Sequence, residues 1–284
     1  MGRPAEFRFF FVWRSAPPPL QSPVLSALAF PPVNTFRPVN TMKTTASVTL
    51  ASSLAVLAVP AIADPGVVYT DASGDIASGI STGGGTLDLL SMEVSHTATD
   101  IQFKLSVNGN IGSTDWGKFM IGISSSGTKT ATGNGWGRPI NMSSNGGMTH
   151  WIGSWVDGGG GGQLWTNGGS GWSGPASPAG FAVSGGATST ITYTVSRASI
   201  GMIGDGTLYF DAYSSGGGGG DGAIDALSRS NASVSNWGDS FTTSGIASGT
   251  SASTTGGAFA YSIPAPGAFA LLGVAGLLGA RRRR

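Results

Sequence analysis

Ile101-Gln102-Phe103-Lys104-Leu105-Ser106-Val107 alternates apolar and polar side chains without a break. Successive side chains of an extended chain point to opposite sides, so Ile101, Phe103, Leu105 and Val107 share one face and Gln102, Lys104 and Ser106 the other. A helix would repeat its apolar stripe every three or four positions; the period of two predicts a half-buried strand. Leu90-Ser91-Met92-Glu93-Val94 carries the same alternation just upstream, and Ser95 to Asp100 can turn the chain between them. The two stretches are therefore expected to form a hairpin.

The pattern recurs in Phe119-Met120-Ile121-Gly122-Ile123, Ile191-Thr192-Tyr193-Thr194-Val195 and Leu208-Tyr209-Phe210-Asp211-Ala212, with further strands expected around Trp151 to Val156, Gln163 to Thr166 and Phe181 to Val183. One helical turn is expected at Arg197 to Gly201, and no helix-length periodic segment interrupts the series. Short strands punctuated by glycine predict an all-β fold, an antiparallel β-sandwich of jelly-roll-like design. Gly158 to Gly162 and Gly216 to Gly220 have no side chains to pack and read as mobile loop tips. Neither is a phosphate loop, since no Lys-Ser/Thr follows, and Gly133-Asn134-Gly135-Trp136-Gly137 lacks the strand-to-helix setting of a dinucleotide site.

The chain of 284 residues has no cysteine, which removes disulfide scaffolds and thiolate metal or redox sites. Its formal charge of +1 is unevenly spread. Basic residues crowd the ends, whereas Asp64 to Pro264 holds six basic against thirteen acidic side chains, a net of −7. That sign argues against nucleic acid as a partner and favours a cation or a neutral polymer.

The ends read as addresses. Residues 42–63 have the order of a secretion signal peptide: Lys43 after Met42, an apolar run from Val48 to Val59, then Ala61-Ile62-Ala63, whose small side chains Ala61 and Ala63 suit signal peptidase cleavage before Asp64. Residues 1–41, proline-rich with four arginines and the single acid Glu6, are expected to be either an over-extended gene start, with translation beginning at Met42, or a disordered leader. Residues 263–284 place Pro264-Ala265-Pro266 before an apolar run, Ala268 to Ala280, and end on Arg281, Arg282, Arg283 and Arg284. At ~1.5 Å per residue such a helix covers about 20 Å, short of the ~30 Å hydrocarbon core, and the arginines would hold the extreme C-terminus on the cytoplasmic side. A domain spanning 64–262 remains between them.

This tail resembles the PEP-CTERM sorting signal of biofilm-forming Gram-negative bacteria, in a Pro-Ala-Pro variant with Ala265 in place of the motif's glutamate. The resemblance implies an exosortase substrate, anchored transiently in the inner membrane by its transmembrane tail and destined for the cell surface, outer envelope or extracellular matrix. In the middle, Tyr69-Thr70-Asp71-Ala72-Ser73-Gly74-Asp75 and Leu87-Asp88-Leu89-Leu90-Ser91-Met92-Glu93-Val94, with the strand that follows, resemble the start of the sandwich domains of family-nine carbohydrate-binding modules and DOMON domains.

Hard oxygen donors on tight loops are what Ca²⁺ requires. Asp71, Asp75, Asp88, Asp221 and Asp225 supply them if the fold brings its first and last strands together; otherwise they are turn residues accepting backbone N–H bonds. The resemblance to carbohydrate-binding sandwiches implies the calcium reading as well. Seven of the eight tryptophans lie in the middle. Trp136, Trp165 and Trp172, set among glycines, are candidates to stack on sugar rings, whereas Trp151 and Trp155 share a strand face and are expected in the core. Catalytic residues are sparse: the histidines are His96 and His150, the latter expected in a packed strand, and Glu93 is the one glutamate of the middle. The expectation is therefore a non-enzymatic exported surface or matrix protein with a structural or interaction role and polysaccharide as its ligand class, or alternatively a calcium-dependent carbohydrate-binding module.

Overall fold

The computed structural model describes residues 64–82, 85–112 and 116–264. Fourteen strands run in the order β1 (Val67–Thr70), β2 (Leu89–His96), β3 (Asp100–Asn108), β4 (Lys118–Ser124), β5 (Ile140–Met142), β6 (His150–Trp155), β7 (Gly161–Asn167), β8 (Trp172–Ala176), β9 (Gly180–Ser184), β10 (Thr188–Ser196), β11 (Gly206–Ser215), β12 (Asp225–Ala226), β13 (Phe241–Thr243) and β14 (Phe259–Ile263). The fold is all-β, and its two large sheets are antiparallel throughout. The stretches expected to be a secretion signal (42–63) and a hydrophobic tail (263–284) lie outside the described residues, except Ile263 and Pro264. Among the described residues no helix is long and apolar enough to cross a membrane.

The first sheet has the order β1-β2-β3-β10-β9. Its centre is the expected hairpin: β2 and β3 pair with Met92 opposite Leu105 and Val94 opposite Phe103, with an irregularity between Leu89 and Ser91. Along β3 the side chains of Ile101, Phe103, Leu105 and Val107 are buried while those between them are not. β10 repeats this with Ile191, Tyr193 and Val195. The expected turn after β10 is a short 3₁₀ helix, Ala198–Ile200, closed by Gly201 in the left-handed conformation (φ 70°).

The second sheet has the order β12-β11-β4-β6-β7-β8, with β14 pairing the same edge of β11 that β12 extends. The two sheets face each other across aromatic side chains. Tyr69 of β1 meets Phe210 of β11 edge-on at 4.9 Å between ring centres, Phe103 lies 5.9 Å from Phe210, and Tyr193 of β10 hydrogen-bonds Ser154 of β6 at 2.7 Å. Tyr69 also donates to the Ala260 carbonyl at 2.7 Å, tying the first strand to the last.

The second sheet is covered on its other face too. There β13 pairs in parallel with β5, and Trp151 of β6 stacks on Tyr213 of β11 (6.0 Å, 21°), which in turn meets Phe241 of β13. Strands packed on both faces lose the polar half of their alternation. Every residue of β4 after Lys118 is buried, as are the last six of β11.

One expectation fails in part here and the other holds as an exposed turn. Gly161 and Gly162 are not a loop tip: they open β7, where the Trp155 ring occupies the space of a Cβ at Gly161 and Phe181 packs at Gly162. Gly216 to Gly220 do form a turn, exposed from Gly217 onward and closed by Asp221, with Trp237 against Gly216. In both places the missing side chain admits an aromatic ring. Ile263 ends β14 and is 2% exposed.

Candidate cation cluster and tryptophan cleft

Four of the five aspartates singled out as oxygen donors converge at one end of the sheets. Asp71 and Asp75 belong to the turn after β1, Asp88 to the lead into β2, and Asp225 to β12. Carboxylate oxygens of Asp71, Asp75 and Asp225 lie within 4.8 Å of one another. Local turn chemistry accounts for part of their bonding: Asp71 Oδ1 accepts from Ala72 N (2.7 Å), and Gly74, held at φ 79°, turns its N–H onto Asp88 Oδ2 (2.9 Å). Asp88 Oδ2 also accepts from Asn108 Nδ2 at 3.0 Å. Asp225 accepts from Leu89 N (2.7 Å) and Ala226 N (2.8 Å), so β12 is latched to the start of β2.

The remaining oxygens have no such bonds. Asp71 Oδ2, both oxygens of Asp75 and Asp88 Oδ1 are buried without a hydrogen-bond partner among the described residues. Burial, followed by the charges of Asp225 and Asp75, pushes the Asp71 carboxyl up to about 10. Burial, with Asp88 adding to it, pushes Asp75 up to about 6. Asp225 is held well above the carboxylate range by burial and then by Asp75 and Asp88. Carboxylates massed out of water repel one another and favour any bound positive charge. The nearby Asp211 is satisfied differently, by hydrogen bonds from Ser228 N and Oγ, Thr243 Oγ1 and Ala212 N.

Asp221 is not part of this group. Its Oδ2 accepts from Gly218 N at 2.8 Å, and its carbonyl accepts from Arg138. It closes its own glycine turn.

A cleft of about 500 Å³ opens on the covered side of the second sheet, lined by Lys118, Trp136, Arg138, Trp155, Asp157, Gly158 and Gln163. That volume is within the ~300–1,000 Å³ of small-ligand sites. Pairing across the sheet sets Lys118 of β4 opposite Trp155 of β6 and Gly153 opposite Gln163 of β7. Glycines make room for the rings: Trp136 fills the Cβ space of Gly153, as Trp155 does at Gly161. The Trp136 and Trp155 rings stand 6.4 Å apart with 40° between their planes.

Gln163 holds the tryptophans. Its Oε1 accepts from Trp136 Nε1 (2.8 Å) and Trp165 Nε1 (3.2 Å). An indole N–H can only donate, so the amide orientation is fixed and its NH₂ is left facing other partners; among the described residues it has none. Lys118 Nζ bonds Asp157 Oδ1 at 2.9 Å. The Arg138 guanidinium lies 5.5 Å from the Trp136 ring centre and donates to Ser215 Oγ and the carbonyls of Gly216 and Asp221. Apolar ring faces beside an amide donor, two cations and one carboxylate suit a ligand that is part apolar face and part hydroxyl.

Of the three tryptophans expected to stack on sugars, Trp136 lines the cleft, Trp165 adjoins it through Gln163, and Trp172 starts β8 away from it. Trp155 is corrected in the opposite sense. It shares a face with the fully buried Trp151, but β6 ends there and its ring is half-buried at the cleft wall. The glycines at 153 and 161 were the available signal, since glycine within a strand marks a close approach. Lys118, Arg138, Asp157 and Gln163 carried no signal of their own. His150 begins β6 and is buried, as expected.

Of the expected sorting motif only Pro264, just past β14, is described; Ala265, Pro266 and Arg281 to Arg284, like Ala61 and Ala63, lie outside the described residues. Asp64, at the expected cleavage point, accepts from Tyr261 OH at 2.8 Å. No family model matches the chain, and no characterised protein or solved structure matches it.

Proposed function

We propose that this chain is an exported cell-surface or extracellular-matrix protein, sorted by an exosortase through its C-terminal tail, whose jelly-roll-like β-sandwich binds a polysaccharide at the tryptophan cleft. The observation that carries the ligand is the pairing of Trp136 and Trp155 around the free amide donors of Gln163. Ring faces pack against the C–H faces of a pyranose, while Gln163, Lys118 and Asp157 supply bonds to its hydroxyls. The acidic balance of residues 64–264 supports a neutral polymer over nucleic acid. The order of charge and apolar residues at the two ends supports export.

Isothermal titration of the full chain against soluble β-glucans, xylan and galactomannan tests the ligand. Heat of binding to one of them, reduced at least tenfold in Trp155→Ala, is expected. Absence of heat with all three, or binding unchanged in the variant, contradicts the cleft. For the address, the protein should fractionate with membranes when the tail is present and without them when residues 265–284 are removed. Full-length protein found in the cytosol with its arginines intact would contradict export.

A further inference from the structure

The carboxylate cluster is a site independent of the cleft and of the glycan reading. Its members come from three separate segments, and the three ion pairs of the described residues, His96–Asp64, Lys104–Glu93 and Lys118–Asp157, involve none of them. Among the described residues no protein cation pairs with the cluster.

Asp88 is the second observation. It is 3% exposed, its Oδ2 is occupied by Gly74 N and Asn108 Nδ2, and its Oδ1 is buried with no partner. The bond from Gly74 N to Asp88 Oδ2 at 2.9 Å sets this buried carboxylate beside the turn that carries Asp75. Asp75 adds two more unpartnered oxygens and Asp71 one. A buried oxygen without a donor costs about 1–3 kcal/mol, more when charged, so four of them in one place call for a ligand.

The donor set narrows that ligand. All the donors are hard oxygens, with no imidazole or thiolate, which disfavours zinc and copper. Oxygens bound to one Ca²⁺ at about 2.3–2.6 Å stand no more than about 5.2 Å apart. The oxygens of Asp71, Asp75 and Asp225 meet that limit. Ca²⁺ accepts irregular shells of six to eight oxygens and carboxylates in one- or two-oxygen contact, whereas Mg²⁺ demands a near-ideal octahedron and keeps its waters.

We propose that Asp71, Asp75, Asp88 and Asp225 bind one Ca²⁺ that clips the two sheets together. Asp71, Asp75 and Asp88 flank β1 and β2 of the first sheet, and Asp225 lies in β12 of the second. The ion joins strands far apart in sequence, and its role is to stabilise the fold. Extracellular calcium modules bind at about 10⁻⁴–10⁻³ M, which suits a protein that meets calcium after export.

The test is a thermal melt of the full chain after EDTA, with CaCl₂ or MgCl₂ added back, beside calorimetric titration with Ca²⁺. At a hundred times Kd the melting temperature should rise by about 5–10 °C with calcium, and by less with magnesium. Asp75→Asn keeps the shape of a side chain that, among the described residues, bonds to no other residue. It should fold in EDTA at least as stably as the parent and lose the calcium response, with affinity at least tenfold weaker. Melts indifferent to both EDTA and calcium, a response equal for magnesium, or a full response retained in Asp75→Asn would each overturn the assignment.

Discussion

The two sheets treat their outward faces differently. On the first, Gln102 and Lys104 point to water and only the inner side of β3 is packed. On the second, the outward side of β4, β6 and β11 is roofed by β5, β13 and the segments around them, so Trp151 and Tyr213 are as buried as the residues between the sheets. The roof is incomplete, and the cleft is the gap at its margin. The cleft therefore arises where one sheet is nearly, but not wholly, covered: a bare face offers no walls and a closed one no entrance.

Truncations at the two outward faces give the largest contrast. Trp151→Ala should cost about 3–5 kcal/mol, since it empties a fully packed position. Gln102→Ala on the first sheet should stay within about 0.5 kcal/mol. Chemical denaturation of both variants checks this, and similar losses would dissolve the distinction between the faces.

A smaller effect separates the two histidines, one in each sheet. Burial at the start of β6 pushes His150 down to about 4. His96 is also lowered by burial, but Asp64 opposes the shift. The folded protein thus binds fewer protons at His150 than the unfolded chain between about pH 6.5 and 4. The stability this contributes is complete above pH 6.5 and is lost as the pH falls toward 4. NMR titration should find His150 neutral through pH 5, and His150→Gln should flatten the decline of melting temperature over that window. A His150 midpoint near 6.5 would show that the site is wet.

These contrasts also explain what the sequence disclosed. Period-two alternation revealed β2, β3 and β10 because water lies on one side of them. In β11, the same signal stops at Ala212 because the strand's second half is packed on both faces, and β12, with two residues, has no period to read. The carboxylate cluster was legible as a composition of aspartates near turns. Asp221 could not be told from Asp225 by type; what separates them is that Asp221 bonds within its own turn while Asp225 reaches Leu89, across 136 positions of chain. Trp155 looked like core because it falls in register with Trp151. Only the third dimension shows that β6 ends at the edge of the roof.

The most direct measurement follows the indole N–H resonances of the full chain by NMR as a bound polysaccharide is titrated in. The signals of Trp136, Trp155 and Trp165 should move together, while that of Trp151, buried on the same sheet, stays in place. Movement confined to Trp116, Trp172 or Trp237, with the cleft tryptophans unmoved, would contradict the account.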